Sequence, residues 1–217
     1  MNTIEKMYQE ADGKITVFSQ RYFAYLGELL GSLDSEAIRS FFDLLEEARM
    51  SQKTIFIAGN GGSAATASHI GIDFGASAFN GHEEGILSKK SYRILPLTDN
   101  VAVISAIGND FGYEHVFSKQ LEMQYQEGDM LVVISASGNS PNLVRAAEWV
   151  KGQKGKVLGL LGFDGGKLKD LCDVAILAKT PKGEYGPVED VHMILDHMFT
   201  AWMQQRFRQA SAKGNEI

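Results

Sequence analysis

Two short stretches carry side chains that could do chemistry. In the first, "SHIGID", His69 and Asp73 stand four residues apart, so on a helix they share a face. In the second, "EDVHMILDH", Glu189, His192, Asp196 and His197 recur at helical spacings, with 189/192 and 192/196 again same-face pairs. Imidazoles and carboxylates move protons near neutral pH. They are also nitrogen and oxygen ligands for a divalent metal such as zinc. His192 and Asp196 read equally as a structural pair inside the helix. Glu189 and His197 lie eight residues apart, about 12 Å along a regular helix. They can meet at one point only if both side chains reach toward each other, or if they come from different subunits.

A second set of residues suits an anion. "IFIAGNGGSAATASH" is an apolar run, then Gly59, Gly61 and Gly62, then Ser63 at a helix start. It is not a P-loop, which needs Gly-Lys-Ser/Thr. It is not the dinucleotide fingerprint either, because Ala64 sits where the third glycine belongs. "ISASGNSPNL" is a second strand-to-helix junction with Ser135, Ser137 and Ser140, and Pro141 fits the first helical position with Ser140 as N-cap. Free N–H groups, a helix dipole and short hydroxyls together favour a phosphate. The alternative is that the serines only cap a helix and fill a turn.

These residues need a scaffold. Residues 3–31 carry a helical apolar pattern that Gly13 interrupts, and "LDSEAIRSFFDLLEEARMS" predicts a second helix capped by Asp34 or Ser35. This aromatic-rich start suits packing on another subunit. Beyond it, "KTIFIAG", "YRILPL", "DMLVVISAS", "KVLGLLGF" and "DVAILAK" read as five strands with helices between them. A long helix follows over "PVEDVHMILDHMFTAWMQQRF". Continuous apolar strands imply a parallel sheet covered on both faces, a three-layer αβα sandwich with an N-terminal helical extension. The chain reads as one domain, with residues 1–50 as the oligomer-packing helices and 51–210 as the core.

Composition narrows the classes. The 217 residues are 44% hydrophobic and 22% charged, with net charge −6. The short basic cluster Lys89, Lys90 and Arg93 reads as a solvated loop, so no nucleic-acid partner is expected. The single cysteine, Cys172, lies in an apolar context and reads as a small buried hydrophobe. No apolar run is long enough to span a membrane, and "MNTIEKMYQEADG" lacks signal-peptide character. A reduced, cytoplasmic protein is expected. The tail "SAKGNEI" should fray.

"ISASGNSPNL" resembles the serine-rich phosphate loop of the sugar isomerase (SIS) family. "AGNGGSAATASH", "SAIGNDFGYEHVFSKQ" and "LGFDGGKLKDL" resemble its phosphoheptose isomerase branch, over residues of about 40 to 205 and in the family's order. The resemblance implies a homotetramer with active sites at subunit contacts, acting on a phosphorylated sugar such as sedoheptulose 7-phosphate. It implies that Ser63, Ser135, Ser137 and Ser140 hold the phosphate, and that Asn60, Gly61 and Asp99 lie near the sugar. It makes Asp73 and His197 the acid–base pair, and His69, Asp73, Glu189 and His197 the ligands of a zinc or other divalent metal, with Glu189 also facing the substrate.

Several positions depart from the family pattern. Asp73 stands where the family has glutamate, and Glu189 where it has glutamine. Without a metal, two nearby carboxylates should push one pKa upward. Ala136 replaces a frequent threonine, at a cost of about one hydrogen bond, ~0.5–1.5 kcal/mol. Gly186 and Pro187 replace an Asp-Arg pair, and "FGASAFNGHEE" lacks a common arginine. The altered pocket keeps an isomerase for another sugar phosphate in view. A non-catalytic sugar-phosphate sensor or replication-initiator partner of the same fold is a further alternative. Such a protein needs the loops but no acid–base set, so the retained histidines and carboxylates favour the enzyme.

Overall fold

The computed structural model describes residues 1–75 and 91–212. Lys89, Lys90, most of the stretch after Gly75 and the last five residues of the tail lie outside them. The apolar runs become strands, and the glycine and proline breaks become their ends. In chain order the elements are α1 (Thr3–Ala11), α2 (Ile15–Gly31), α3 (Ser35–Met50), β1 (Thr54–Gly59), α4 (Gly62–Gly75), β2 (Arg93–Pro96) and α5 (Val101–Phe111). There follow α6 (Ser118–Gln124), β3 (Met130–Ser135), α7 (Pro141–Gly152), β4 (Lys156–Gly162), α8 (Gly166–Leu171), β5 (Val174–Ala178) and α9 (Tyr185–Ala212). Gly13 does interrupt the first pattern, and Asp34 is the cap of α3, accepting from the Glu36 and Ala37 N–H groups. Between α5 and β3 the chain forms one 3-10 turn, Tyr113–His115, and then α6.

The sheet is parallel throughout, in the order β2-β1-β3-β4-β5. Every residue of β3 is buried, whereas β2 alternates exposed and half-buried positions. That is the difference between a strand covered on both faces and one at an edge. Side chains alternate between two cores. Ile55, Ile57, Val132, Ile134, Leu158 and Leu160 pack with α3, α4 and α9. Phe56, Ala58, Leu131, Val133, Val157 and Leu161 pack with α6, α7 and α8. This is the three-layer arrangement that the strand runs predict.

The order also fixes where a ligand can bind. From β1 the chain crosses to β2 on one side and then returns to β3 on the other. In an open parallel sheet the crevice beyond the strand ends at such a reversal is the binding place. Here it lies between the loop after β1, residues 60–61, and the loop after β3, residues 136–140.

Two further contacts anchor the helices that frame this crevice. Tyr25 Oη donates to Glu184 (2.6 Å), just before α9, and Tyr22 Oη to Asp190 (2.5 Å) in its second turn, tying α2 to the start of that helix. Arg49, 1% exposed, donates to Glu46 at 2.8 and 3.0 Å and lies over the Tyr92 and Phe207 rings. The Arg49 charge holds the Glu46 carboxyl below its usual range despite the burial that opposes it. Cys172 is largely buried, and burial, aided by the Asp173 charge, pushes its thiol up to about 12. It is therefore a protonated packing group at neutral pH, as its apolar context implies.

Candidate active site

The first glycine loop feeds α4, and α4 packs against α9. Where the two helices meet, their chemistry-bearing residues converge. His69 Nε2 lies 3.2 Å from His197 Nε2, 3.6 Å from Asp73 Oδ2 and 3.9 Å from Asp196 Oδ2. One ligand atom from each of His69, Asp73, Asp196 and His197 lies within 4.8 Å of the others. The imidazoles are solvent-facing and the carboxylates lie deeper. Burial, with the Asp73 carboxylate second, pushes Asp196 up to about 7. The carboxylate repulsion expected from sequence is therefore present, but between Asp73 and Asp196.

Glu189 is not in that cluster. Its carboxylate lies over the start of α4, so close that a Cβ built on Gly62 would stand 2.2 Å from Oε2. The eight-residue separation on a continuous α9 explains this: Glu189 faces the glycine loop, and His197 faces the far end of α4. His192 and Asp196 do not form a pair with each other. The His192 ring is buried, with Nε2 3.3 Å from the Leu161 carbonyl. Burial lowers it to about 4, so it is neutral and packs on the sheet.

The loops supply polar groups at the other end. Ser140 is the N-cap residue of α7 and Pro141 opens the helix, but the Ser140 side chain makes no capping bond. Ser135 Oγ accepts from Gly138 N–H (3.0 Å) and Ser137 Oγ from Asn139 N–H (3.4 Å), so two of the three serines also shape their own turn. Ser63 is buried in the first turn of α4, beside exposed Gly61. Asn60 is held by a carboxamide pair. It donates to Asn142 Oδ1 (3.0 Å), accepts from Asn142 Nδ2 (2.8 Å), and also accepts from Tyr113 Oη (3.1 Å). Asp99 accepts from Thr98 Oγ1 (3.0 Å) and from Ser68. Asn142 and Tyr113 have no sequence signal of their own, because a pairing across 82 residues leaves no local spacing.

Residues 21–162 match the SIS domain family. The chain is 40% identical to the phosphoheptose isomerase of Nitratiruptor over 74% of its own length and 81% of that protein. It is 39% identical to that of Aneurinibacillus thermoaerophilus over 82% and 83%. The solved structure of the Neisseria gonorrhoeae phosphoheptose isomerase superposes with a TM-score of 0.72 at 29% identity, covering 91% of this chain and 99% of that one. The chain belongs to the phosphoheptose isomerase family of SIS-domain proteins.

Gly62 lies where the glycine loop meets the Glu189 carboxylate. An added Cβ on Gly62, the first residue of α4, would occupy the place of the Glu189 carboxylate, the far end of a side chain that can swing away. Gly62→Ala should therefore fold with a nearly unchanged Tm. Displacing Glu189 should lower kcat/KM by about 10²-fold. Thermal melting and steady-state kinetics on the same preparation check the split. Full activity in the alanine variant would show that the carboxylate position does not matter.

Proposed function

We propose that this chain converts sedoheptulose 7-phosphate into D-glycero-D-manno-heptose 7-phosphate through a 1,2-enediol. The observation that carries this reading is the convergence of His69, Asp73 and His197 at the α4–α9 crossing, at the far end of α4 from its glycine loop. Asp73 takes the proton from C1 while His197 gives one to the C2 carbonyl oxygen, leaving the enediol. The proton then returns to C2, and the C1 hydroxyl gives its own to His197, leaving an aldehyde at C1. Ser63, Ser135, Ser137 and Ser140 bind the phosphate with the N-terminal turns of α4 and α7. Asn60, Gly61, Asp99 and Glu189 contact the sugar.

The residues fit a divalent metal. Zinc–nitrogen bonds of 2.0–2.1 Å put two tetrahedral ligands about 3.3 Å apart, and the two Nε2 atoms lie 3.2 Å apart. His69, Asp73 and His197 would hold the ion, which when bound would polarise a carbonyl oxygen, and a His197 ring held through Nε2 keeps only its Nδ1 proton to give. Zinc is the metal we propose.

The chain is proposed to act as one domain in a homotetramer, with residues 1–50 packing on other subunits. Tyr8, Ile15 and Phe23 on α1 and α2 are exposed, which supports a covered surface there. No described helix is long and apolar enough to cross a membrane.

The test is direct. The zinc-loaded chain is incubated with sedoheptulose 7-phosphate and followed by NMR, with shorter ketose phosphates in parallel. An aldose heptose phosphate is the expected product. Phosphate binding without turnover would remove the isomerase reading, and turnover of another ketose phosphate alone would replace the substrate.

A further inference from the structure

We propose that Asp196 supplies the fourth ligand of the metal site in this chain, and that Glu189 stays outside it. The inference rests on the metal-assisted reading above and deepens it.

Asp196 and His197 are consecutive residues on α9, so they flank the line of contact with α4 from its buried and its exposed side. Together they face His69 and Asp73, which are one turn apart on α4. The result is two imidazoles on the outside and two carboxylates inside, with ligand atoms within 4.8 Å of one another. Glu189 is two helical turns away with its carboxylate over Gly62.

The state of the Asp196 side chain is the second, independent observation. The residue is 1% exposed, and neither carboxylate oxygen has a hydrogen-bond partner among the described residues. It also lines an apolar cavity of about 20 Å³ together with Phe41, Leu45, Ile70, Phe74 and Phe199. Among the described residues, its ion-pair contact is with His69 at 3.9 Å. A carboxylate in such a place is costly unless a cation meets it. Among the described residues, Asp196 shares its cluster of ligand atoms with His69, Asp73 and His197, while His192 Nδ1 and Thr200 Oγ1, one turn either side on α9, are buried and unpartnered as well. A divalent ion there would satisfy the orphaned oxygens, and the two carboxylates would balance its charge. A packing role gives the same position no use for a carboxylate, since a leucine would avoid the cost.

The test reads metal binding, not turnover. The chain is stripped with a chelator, and zinc is titrated back against a chromophoric competitor, with thermal melting of both forms. Asp196→Asn is expected to weaken zinc binding at least 10- to 100-fold and to abolish the zinc-induced rise in Tm. Its metal-free form should melt at or above the parent, because an unpaired buried acid has been removed. Glu189→Gln should bind zinc within about threefold of the parent. Equal zinc affinity in Asp196→Asn and the parent, or an equal loss in Glu189→Gln, overturns the proposal. So does a parent chain that takes up no zinc.

If Asp196→Asn does not fold, the parent protein still gives an answer. An anomalous-scattering map of zinc-soaked crystals should place the ion about 2.0–2.2 Å from an Asp196 oxygen. An ion on Glu189 instead refutes the assignment. Zinc bound at Asp196 without sugar-phosphate turnover would leave this inference standing and remove the isomerase reading.

Discussion

Asp73→Asn lowers kcat by about 10²- to 10⁴-fold, the range for loss of a positioned general base. KM changes little, because the amide keeps the shape and loses only the group that accepts the proton in the transition state. The chain should stay folded. Asp73 is only partly buried, and its charge lies beside Asp196, whose carboxyl it helps to push up. Removing one of two repelling carboxylates relieves the pair. Asp73 is also one of the atoms that face a metal, so zinc content is measured on the same sample. A variant that binds stoichiometric zinc and no longer turns over places Asp73 in proton transfer. A variant with kcat within tenfold of the parent would remove Asp73 as the base.

The second large effect falls on stability. Gly138→Ala is expected to cost about 3 kcal/mol or more, from backbone strain and overpacking together. That corresponds to a fall in Tm of about 10 °C for a chain of this size. Gly138 has φ +62°, which favours glycine, and an added Cβ would stand 1.8 Å from the Gly165 carbonyl oxygen. The obstacle is main chain, so no side chain can swing away. The phosphate loop after β3 and the turn after β4 would be forced apart. Phosphate affinity should drop along with Tm, since Ser137 and Ser140 belong to the displaced loop. Chemical or thermal unfolding, with phosphate protection as the second readout, checks both. A parent-like Tm would show that the two turns are not held in this contact.

Most of the scaffold was legible because its signals are local. Short apolar runs such as "MLVVIS" and "KVLGLLG", bounded by turn residues, suit strands covered on both faces, and Pro141 after Ser140 suits a helix start. The first half of the cluster was legible for the same reason, as His69 and Asp73 are one turn apart. The fourth member was not. Asp196 shares a helix face with His192, and that spacing suggests a structural pair. Only the crossing of α9 over α4 turns the carboxylate toward His69, and a crossing is set by packing across many residues. The limit was visible in one number, since eight residues of helix already separate Glu189 from His197 by about 12 Å. The Asn60–Asn142 pair was illegible altogether. It joins two loops from different strands, and nothing in either loop specifies the other.

The position of α4 gives the crevice a measure of length. Ser63 stands in its first turn and His69 six residues later, about 9 Å along the axis. On the proposed assignment of phosphate to the serines and proton transfer to Asp73 and His197, a rigid rod of fixed length would separate the two. A sugar phosphate would be worked on only if its backbone spanned that gap with its carbonyl at one end. Short ketose phosphates would dock by their charge and leave the carbonyl out of reach of Asp73 and His197. The helix would then act as a ruler, selecting by chain length with no side chain devoted to rejecting the wrong sugar.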